Sequence, residues 1–563
     1  MAEFTASRVA EAKRALDRIF AQPYARDTED EDDRASEASE ADDNGDRHDG
    51  SEGNESEHND TFLSKDKKIE WSSVPLRDSD RVTVPQHLAG PTAEAKAGAQ
   101  SILSSFLLFF TPELEQLVLA ATNREGSRTR DSWKQMDVID LRAYVGLLIL
   151  AGVYRSRGEA AASLWDAECG RAIFRATMSL KDFYLRSKTL RFDDRESRAE
   201  RHSDKLAAIR EVWDMWRERL PALYVPGPEV TVDERMVPFK GRCAFRQYMP
   251  KKPARYGLKL WVLCDANSSY AWKMQEYMGR AGNAGARTTN LASQVVTSLT
   301  QGLEHRLVTC NNFFTSYELA RSLLLKNITM LGTIRRNKPE LPPESLSAFG
   351  REVFSTRFAF SDLVTLVSYV PRKNKTVLLL ITKHSRPEVD ETRRDKKPRA
   401  ILDYNRTKGG VDNLDKLLAA YSCRRMTKRW PVAMFHNILD VSAFNAFVIW
   451  RETHPDWMPE KRNRRRLFLE RLGKDLVTPL IMRRKHAPRA ESARALIRTI
   501  RGPSPTVTPP RSEKRKRCQV CPREKDAKTH TVCTDCRKYI CGKCTWPFCA
   551  ECAGISSEDT GES

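Results

Sequence analysis

Four Cys-x-x-Cys pairs stand within 35 residues near the C-terminus: Cys518/Cys521, Cys533/Cys536, Cys541/Cys544 and Cys549/Cys552. A turn of this kind sets two thiolates side by side, which is half of a tetrahedral zinc site, so eight sulfurs specify two structural Zn²⁺ ions. The stretch from 518 to 552 is too short to bury a core of its own. Metal binding is therefore expected to supply its folding energy. Spacing leaves the pairing open; a cross-brace would join the first pair to the third and the second to the fourth. His530 lies outside the rhythm and reads as a surface histidine. The other five cysteines, Cys169, Cys243, Cys264, Cys310 and Cys423, have no paired spacing and read as buried thiols.

Charge divides the 563-residue chain. Its formal net charge is +20, yet residues 27–60 hold 16 Asp and Glu against two Arg, a local −14. The remainder therefore carries +34, a balance suited to a polyanion such as nucleic acid. Residues 1–95 are acidic and nearly free of aromatics apart from a short N-terminal helical pattern, so they are expected to be disordered. No apolar run reaches the ~18–20 residues of a membrane span. The N-terminus carries no charged-then-apolar leader, and the protein is expected in the nucleus rather than secreted.

Length suggests three or four structural units. Residues 96–228 read as the first part of a helical domain, with apolar spacing of three and four near Ala97–Leu108, Glu113–Ala121, Val138–Val153, Leu180–Thr189 and Lys205–Leu220. At Pro226 the period changes. Strands are expected at Glu229–Lys240, Lys259–Asp265 and Tyr270–Tyr277, then a helix near Thr289–Gly302, a strand His305–Cys310, a helix Ser316–Leu325 and a strand Met330–Arg336. Three antiparallel strands followed by alternating helix and strand resemble a ribonuclease-H-like α/β domain, here 229–337. Residues 338–400 read as a β-rich insertion with strands at Phe358–Tyr369 and Thr376–Lys383. Residues 401–421 return to the catalytic domain, and 422–500 form the second helical part. A basic linker, 501–517, precedes the double-zinc domain 518–552 and an acidic tail, 553–563.

Nucleases of this fold hold two Mg²⁺ ions with carboxylates from the first strand, the end of the fourth strand and a later helix. Asp233 stands mid-strand in Val230-Thr231-Val232-Asp233-Glu234. By itself it is equally a salt-bridged structural acid or a metal ligand. Asp412 and Asp415 follow Gly409-Gly410 at a spacing that shares one helix face, where N-terminal capping is the ordinary use of Asp412. The strings Val232-Asp233-Glu234, Phe239-Lys240-Gly241-Arg242, Lys251-Lys252-Pro253, Tyr256-Gly257, Phe314-Thr315-Ser316, Tyr404-Asn405, Lys408-Gly409-Gly410-Val411-Asp412, Leu414-Asp415 and Arg429-Trp430-Pro431, with the terminal cysteines, resemble piggyBac-type transposases from about residue 95 to 552.

The resemblance implies excision between terminal inverted repeats and insertion at TTAA through hairpin ends, by a homodimer using Mg²⁺ or Mn²⁺, and it makes the helical parts 96–228 and 422–500 a DNA-binding and dimerisation domain. It places Asp233 and Asp412 at the first and third catalytic carboxylates and Asp415 at a nearby acid. Trp430 falls at a tryptophan beside the active site, where stacking on DNA is the functional reading and core packing the plain one. The second carboxylate is missing. The family's aspartate after a cysteine is Asn311 here, in Cys310-Asn311-Asn312. An amide keeps the shape, loses the charge and offers N–H where an oxygen faced metal. The chain is therefore expected to bind DNA ends and to cleave poorly. An isolated replacement fits the intact neighbouring motifs better than general decay; a domesticated DNA-binding or chromatin protein is the alternative history.

Basic residues mixed with aromatics are the expected DNA surface: Lys240, Arg242, Arg246, Tyr248, Lys251, Lys252 and Arg255 beside the first catalytic strand, then Arg424, Arg425, Lys428 and Arg429 beside Trp430. The run from 461 to 466 fits a charged helix face equally well. Lys514, Arg515, Lys516 and Arg517 suit DNA phosphates or a nuclear import signal. Two-zinc cross-braces also serve ubiquitin ligases and histone readers, but that reading leaves the α/β domain without a role. Asp265 reads as a turn residue.

Overall fold

The computed structural model describes residues 61–76, 89–250, 252–279, 290–362, 364–501, 511–522, 524–533 and 536–544. The expected N-terminal helix, the acidic stretch 27–60, Lys251, Cys549, Cys552 and the acidic tail lie outside these residues. The chain divides into two compact units, with the boundary between Arg483 and Arg484.

The larger unit begins with β1 (Thr61–Leu63) and β2 (Glu70–Ser72), which pair antiparallel. They fall inside the stretch expected to be disordered. Trp71 explains the difference: it is fully buried, its indole N–H bonds the Glu340 carbonyl, and its ring meets Tyr317 edge-on. One aromatic in a polar stretch is enough to tie the segment down.

Helices follow. The expected helix Ala97–Leu108 is two short ones, Ala93–Gly98 and Ile102–Leu107, separated where Ser101 caps the second. Then come α1 (Pro112–Thr129), α2 (Val138–Val153), α3 (Leu180–Thr189) and α4 (Arg210–Ala222). Asp137 and Asp140 form a reciprocal capping box at the start of α2, which explains why its boundary is legible in sequence.

The sheet continues with β3 (Glu229–Pro238), β4 (Arg246–Tyr248), β5 (Tyr256–Asp265) and β6 (Ala271–Glu276). Helix α5 (Leu291–Leu299) leads to β7 (Leu307–Cys310), and α6 (Tyr317–Leu324) leads to β8 (Thr329–Thr333). Strand β3 pairs antiparallel with β5 and parallel with β7, and β7 pairs parallel with β8. This is the arrangement expected of a ribonuclease-H-like core.

The stretch expected as an insertion prolongs the same sheet. The single strand expected at Phe358–Tyr369 is a hairpin of β9 (Thr356–Phe360) and β10 (Thr365–Arg372), followed by β11 (Lys375–Ile381). Strand β11 lies antiparallel on β8, so the full order is β1-β2-β9-β10-β11-β8-β7-β3-β5-β4, with β6 on β5.

Helices α7 (Arg399–Thr407), α8 (Gly410–Ala420), α9 (Trp430–Thr453) and α10 (Arg464–Arg483) close the unit. Helix α9 is long and apolar enough to cross a membrane, with a mean hydropathy of 1.5 over its best 18-residue window, contrary to the expectation that no such run exists. Of that window 94% is buried inside the protein, which marks a core helix. Helices α2 and α10 cross closely. A Cβ on Gly146 would stand 2.8 Å from Leu476 Cβ, and one on Gly473 2.6 Å from Leu150 Cγ. The two helical stretches that flank the α/β domain in sequence are thus one packed body.

In the second unit, α11 (Glu491–Arg501) is followed by β12 (Arg511–Arg517) and β13 (Lys528–Thr531), an antiparallel pair. The basic cluster expected in a linker is therefore a strand of the cysteine module.

Candidate active site and metal centre

Strand β3 presents alternate side chains to its two faces, so Thr231, Asp233 and Arg235 share one of them. Its parallel register sets Val232 beside Cys310, which brings the next residue of each strand, Asp233 and Asn311, together. The Asn311 amide donates from Nδ2 to Asp233 Oδ1 at 2.7 Å, and its Oδ1 accepts the Phe313 N–H at 2.9 Å. The two bonds fix which end of the amide faces the carboxylate: the N–H₂ end. Asp233 also accepts its neighbour's N–H, from Glu234, at 2.8 Å.

Helix α8 packs its first turn against this face. A Cβ on Gly410 would meet Thr231 Oγ1 at 2.7 Å, so only glycine allows this approach. Thr231 hydroxyl in turn bonds the Thr407 carbonyl at 2.5 Å. Asp412 does not cap the helix, whose N-cap Gly409 makes no side-chain bond. It points to Lys252, with Oδ1 3.5 Å from Nζ, and Lys252 also donates to the Glu234 carbonyl at 3.2 Å. Asp415 lies one turn on and pairs with the buried Arg235 at 2.5 Å, while Arg235 also bonds Asn437. Sequence reading missed Arg235; its signal is the two-residue step from Asp233 on a strand.

Burial, and then the charge of Glu234, pushes the Asp233 pKa up to about 8. Burial raises Asp415 as well, against the pull of Arg235. Burial would lower the Lys252 ammonium, but the carboxylates around it, Asp233 first, hold it above the usual lysine value. Each remaining acid of the constellation thus has a donor of the protein's own: Asn311, Lys252 or Arg235.

These groups line an open groove of about 3020 Å³, together with Lys240, Arg242, Arg246, Arg255, Arg424, Arg425 and Lys428. The groove also takes Lys408 of the family string, Arg465 of the 461–466 run, and Arg157, Lys416 and Arg451, which sequence reading did not single out. Lys240, Arg242, Arg255 and Lys428 are exposed. Exposed Tyr248 packs on Tyr256, and Arg246 lies over the Tyr256 ring at 5.4 Å while bonding the Lys240 carbonyl at 2.7 Å.

The second basic cluster is largely turned inward. Arg429 bonds the carbonyls of Ser187, Lys188 and Leu190 at the C-terminal end of α3. Arg424 bonds the Pro238 carbonyl at 3.1 Å, and Arg425 that of Ser156. Burial lowers all three guanidinium pKa values, that of Arg429 to about 10. Trp430, half-buried in the first turn of α9, sets its ring edge-on to Phe245 at 5.1 Å. Asp265 organises a turn, accepting from Gly227, Asn267 and Ser268. Cys264, Cys310 and Cys423 are buried as expected; Cys169 is exposed and Cys243 half-buried because both sit in loops.

In the second unit Cys518, Cys521, Cys541 and Cys544 converge, their sulfurs all within 4.8 Å of one another. Cys521 Sγ stands 3.5 Å from both Cys541 Sγ and Cys544 Sγ, close to the ~3.8 Å edge of a tetrahedron with 2.3 Å Zn–S bonds. The Cys541 N–H points at Cys518 Sγ at 3.3 Å, the support that thiolate ligands receive. First and third pairs are thus joined. Cys533 is buried against Ile540 and Cys536 is exposed, and their expected partners, Cys549 and Cys552, lie outside the described residues. His530 sits in β13 with Nδ1 3.0 Å from the Ser512 carbonyl, away from the sulfurs. Lys514 and Lys516 project from the exposed strand β12, Lys516 over the Tyr539 ring at 5.3 Å, while Arg515 and Arg517 reach the carbonyls of Lys528 and Pro522.

Comparison with known proteins agrees with this architecture. Residues 103–447 match the Transposase IS4 family. The human piggyBac transposable element-derived protein 3 is 25% identical over 283 residues, covering 46% of this chain and 47% of that protein. The human chimeric ERCC6-PGBD3 protein is 25% identical over the same length and covered to 26%. The chain thus spans under half the length of the curated relatives it matches. A piggyBac transposase, solved by cryo-EM in a synaptic complex with hairpin DNA, superposes with a TM-score of 0.69 at 30% identity, covering 82% of this chain and 99% of that one. With the family matched over residues 103–447 and the fold shared across 82% of this chain with that transposase, the chain belongs to the piggyBac-type transposases.

Proposed function

We propose that this chain engages DNA ends in the basic groove as a cut-and-paste transposase does, and that it is arrested before strand cleavage. The observation that carries this reading is the Asn311–Asp233 hydrogen bond. An amide N–H₂ directed at Asp233 occupies the direction in which a shared cation would bond. The residues present therefore do not fit a pair of Mg²⁺ or Mn²⁺ ions. With a carboxylate at 311 they would, and the full reading then includes terminal inverted repeats, TTAA targets and a homodimer in the nucleus. The piggyBac enzyme solved with hairpin DNA, which this chain resembles, supports the DNA ligand. A domesticated DNA-binding role is the second reading, favoured by the same Asn311 and by the transposable element-derived relatives.

The test is to incubate the chain and its Asn311→Asp variant with Mg²⁺ and duplexes carrying the element's own ends, reading binding and nicking together. Both should bind. Only Asn311→Asp should cut, by on the order of 100-fold or more, since a metal-held oxygen is worth several kcal/mol. Binding without cutting by either variant favours the domesticated role, and absence of binding by both removes the transposase reading.

A further inference from the structure

The loop that follows β7 faces two hollows. Asn311 lines the carboxylate groove, and Phe313, two residues on, lines a separate hollow of about 1460 Å³. Phe313 is 38% exposed, although it sits at the mouth of a core strand. One face of its ring lies on Trp261, with centroids 5.4 Å apart and planes 16° from parallel. Phe314 abuts it edge-on at 5.0 Å, and the Lys259 ammonium stands 5.4 Å from its centroid and 3.8 Å from that of Trp261. The ring is thus clamped from behind and beside, and the Phe313 N–H bond to Asn311 ties its backbone to the active site. Leu291 and Tyr317 continue the apolar wall of the hollow, and Lys68, Arg321 and Lys338 stand around it. Of the acids there, Asp66 accepts from Ser64 and the Lys68 N–H, and Glu340 accepts from Tyr317 N–H and pairs with Lys338, which leaves Glu318.

We propose that Phe313 is a stacking platform for one unpaired nucleobase of the DNA held in the neighbouring groove, an assignment that rests on the DNA-binding reading above. A rigid aromatic with one buried and one open face, flanked by cations, is how single bases are held without regard to sequence. The groove takes the paired backbone; the base displaced beside the reacting strand turns over the end of β7 onto Phe313. Because a base unpaired from its partner costs a few kcal/mol, the platform favours distorted DNA over relaxed duplex.

The test uses the full chain with two duplexes of the same sequence, one fully paired and one carrying a single unpaired 2-aminopurine. Binding of the second should quench its fluorescence. Phe313→Leu should abolish the quench and weaken binding of that duplex by about 5- to 150-fold, while leaving the paired duplex and the melting temperature unchanged. Phe313→Trp should preserve the quench. An undiminished quench in Phe313→Leu overturns the platform and leaves the groove reading standing. Equal loss on both duplexes, or a lowered melting temperature, makes Phe313 a packing residue and also overturns it. Failure of the unaltered chain to bind either duplex overturns the DNA-binding reading together with this one.

Discussion

In the groove, the groups that converge come from distant parts of the chain, with Arg235 and its partner Asp415 separated by 180 residues. In the cysteine cluster, Cys521 and Cys544 are 23 residues apart. The groove is floored by a sheet whose strands β5 and β7 are buried nearly throughout, and β3, which carries Asp233, is buried at six of its ten positions, so the site rests on packed structure. Among the described residues, the cysteine cluster rests on Ile540, Cys533, Val520 and little else that is apolar. On the proposed reading cations would mean different things at the two places: with a carboxylate at 311 they would govern chemistry in the groove, and zinc on the four sulfurs would govern folding in the module.

The largest expected effect follows from that contrast. Removing zinc with a strong chelator, or substituting Cys521→Ala, should unfold the module outright, because about 10–16 kcal/mol of apparent metal affinity is lost at pH 7. Trypsin should then cut within 511–544 while the larger unit keeps its melting temperature. Persistent protection of the module in chelator would show that it has a sufficient core and would dissolve the contrast.

The groove should instead break through packing. Gly410→Ala puts a methyl group against Thr231 and should cost roughly 1–3 kcal/mol, read from thermal unfolding. Thr231→Ala in the same chain removes the opposing hydroxyl and should recover part of that loss, so the two changes combine with less damage than their sum. Strict additivity would mean that α8 is not held to β3 at this point.

The two regions also differ in how much of them can be read from sequence. The cysteine spacing names the ligands at once, because the site is local. Helices α2 and α3 are found at their ends, since Asp137 and Ser179 cap them. Asp233, Asp412 and Asp415 are ambiguous as single residues, and only the family motifs or the fold bring them together. What stays hidden is non-local. Trp71 orders β1 and β2 through contacts some 270 positions away. The turn between β9 and β10 has no Gly or Pro among the described residues, so the hairpin reads as one strand. Arg424, Arg425 and Arg429 read as a DNA surface, yet their carbonyl partners lie on other elements.

Acidity probes the groove next. Asp233 is pushed from the ordinary 3.8 up to about 8 by desolvation first and Glu234 second. Between these values the folded chain holds a proton that the unfolded chain has released. Its contribution to stability is therefore complete below about pH 4 and is lost as pH rises through about 8. Asp233→Asn should flatten this decline by roughly 1–3 kcal/mol, less than the full shift implies because the site is open to solvent screening. Thermal unfolding at pH 5 and pH 8 measures it, and an unchanged slope in Asp233→Asn would place the proton elsewhere.

The smallest effect separates an arginine of the groove wall from one turned into the protein. Arg255 is exposed on the groove wall, whereas Arg429 is engaged with three carbonyls at the end of α3. If Arg255 meets a phosphate, Arg255→Ala should lower affinity a few-fold at moderate salt and reduce the slope of log affinity against log salt by about 0.9. Its melting temperature should not move. Arg429→Ala should do the reverse, losing on the order of 1–3 kcal/mol of stability through orphaned carbonyls with little change in salt slope. Interchanged results would show that the inward geometry of Arg429 gives way on DNA, and that the second basic cluster, not the wall beside β3, carries the phosphates.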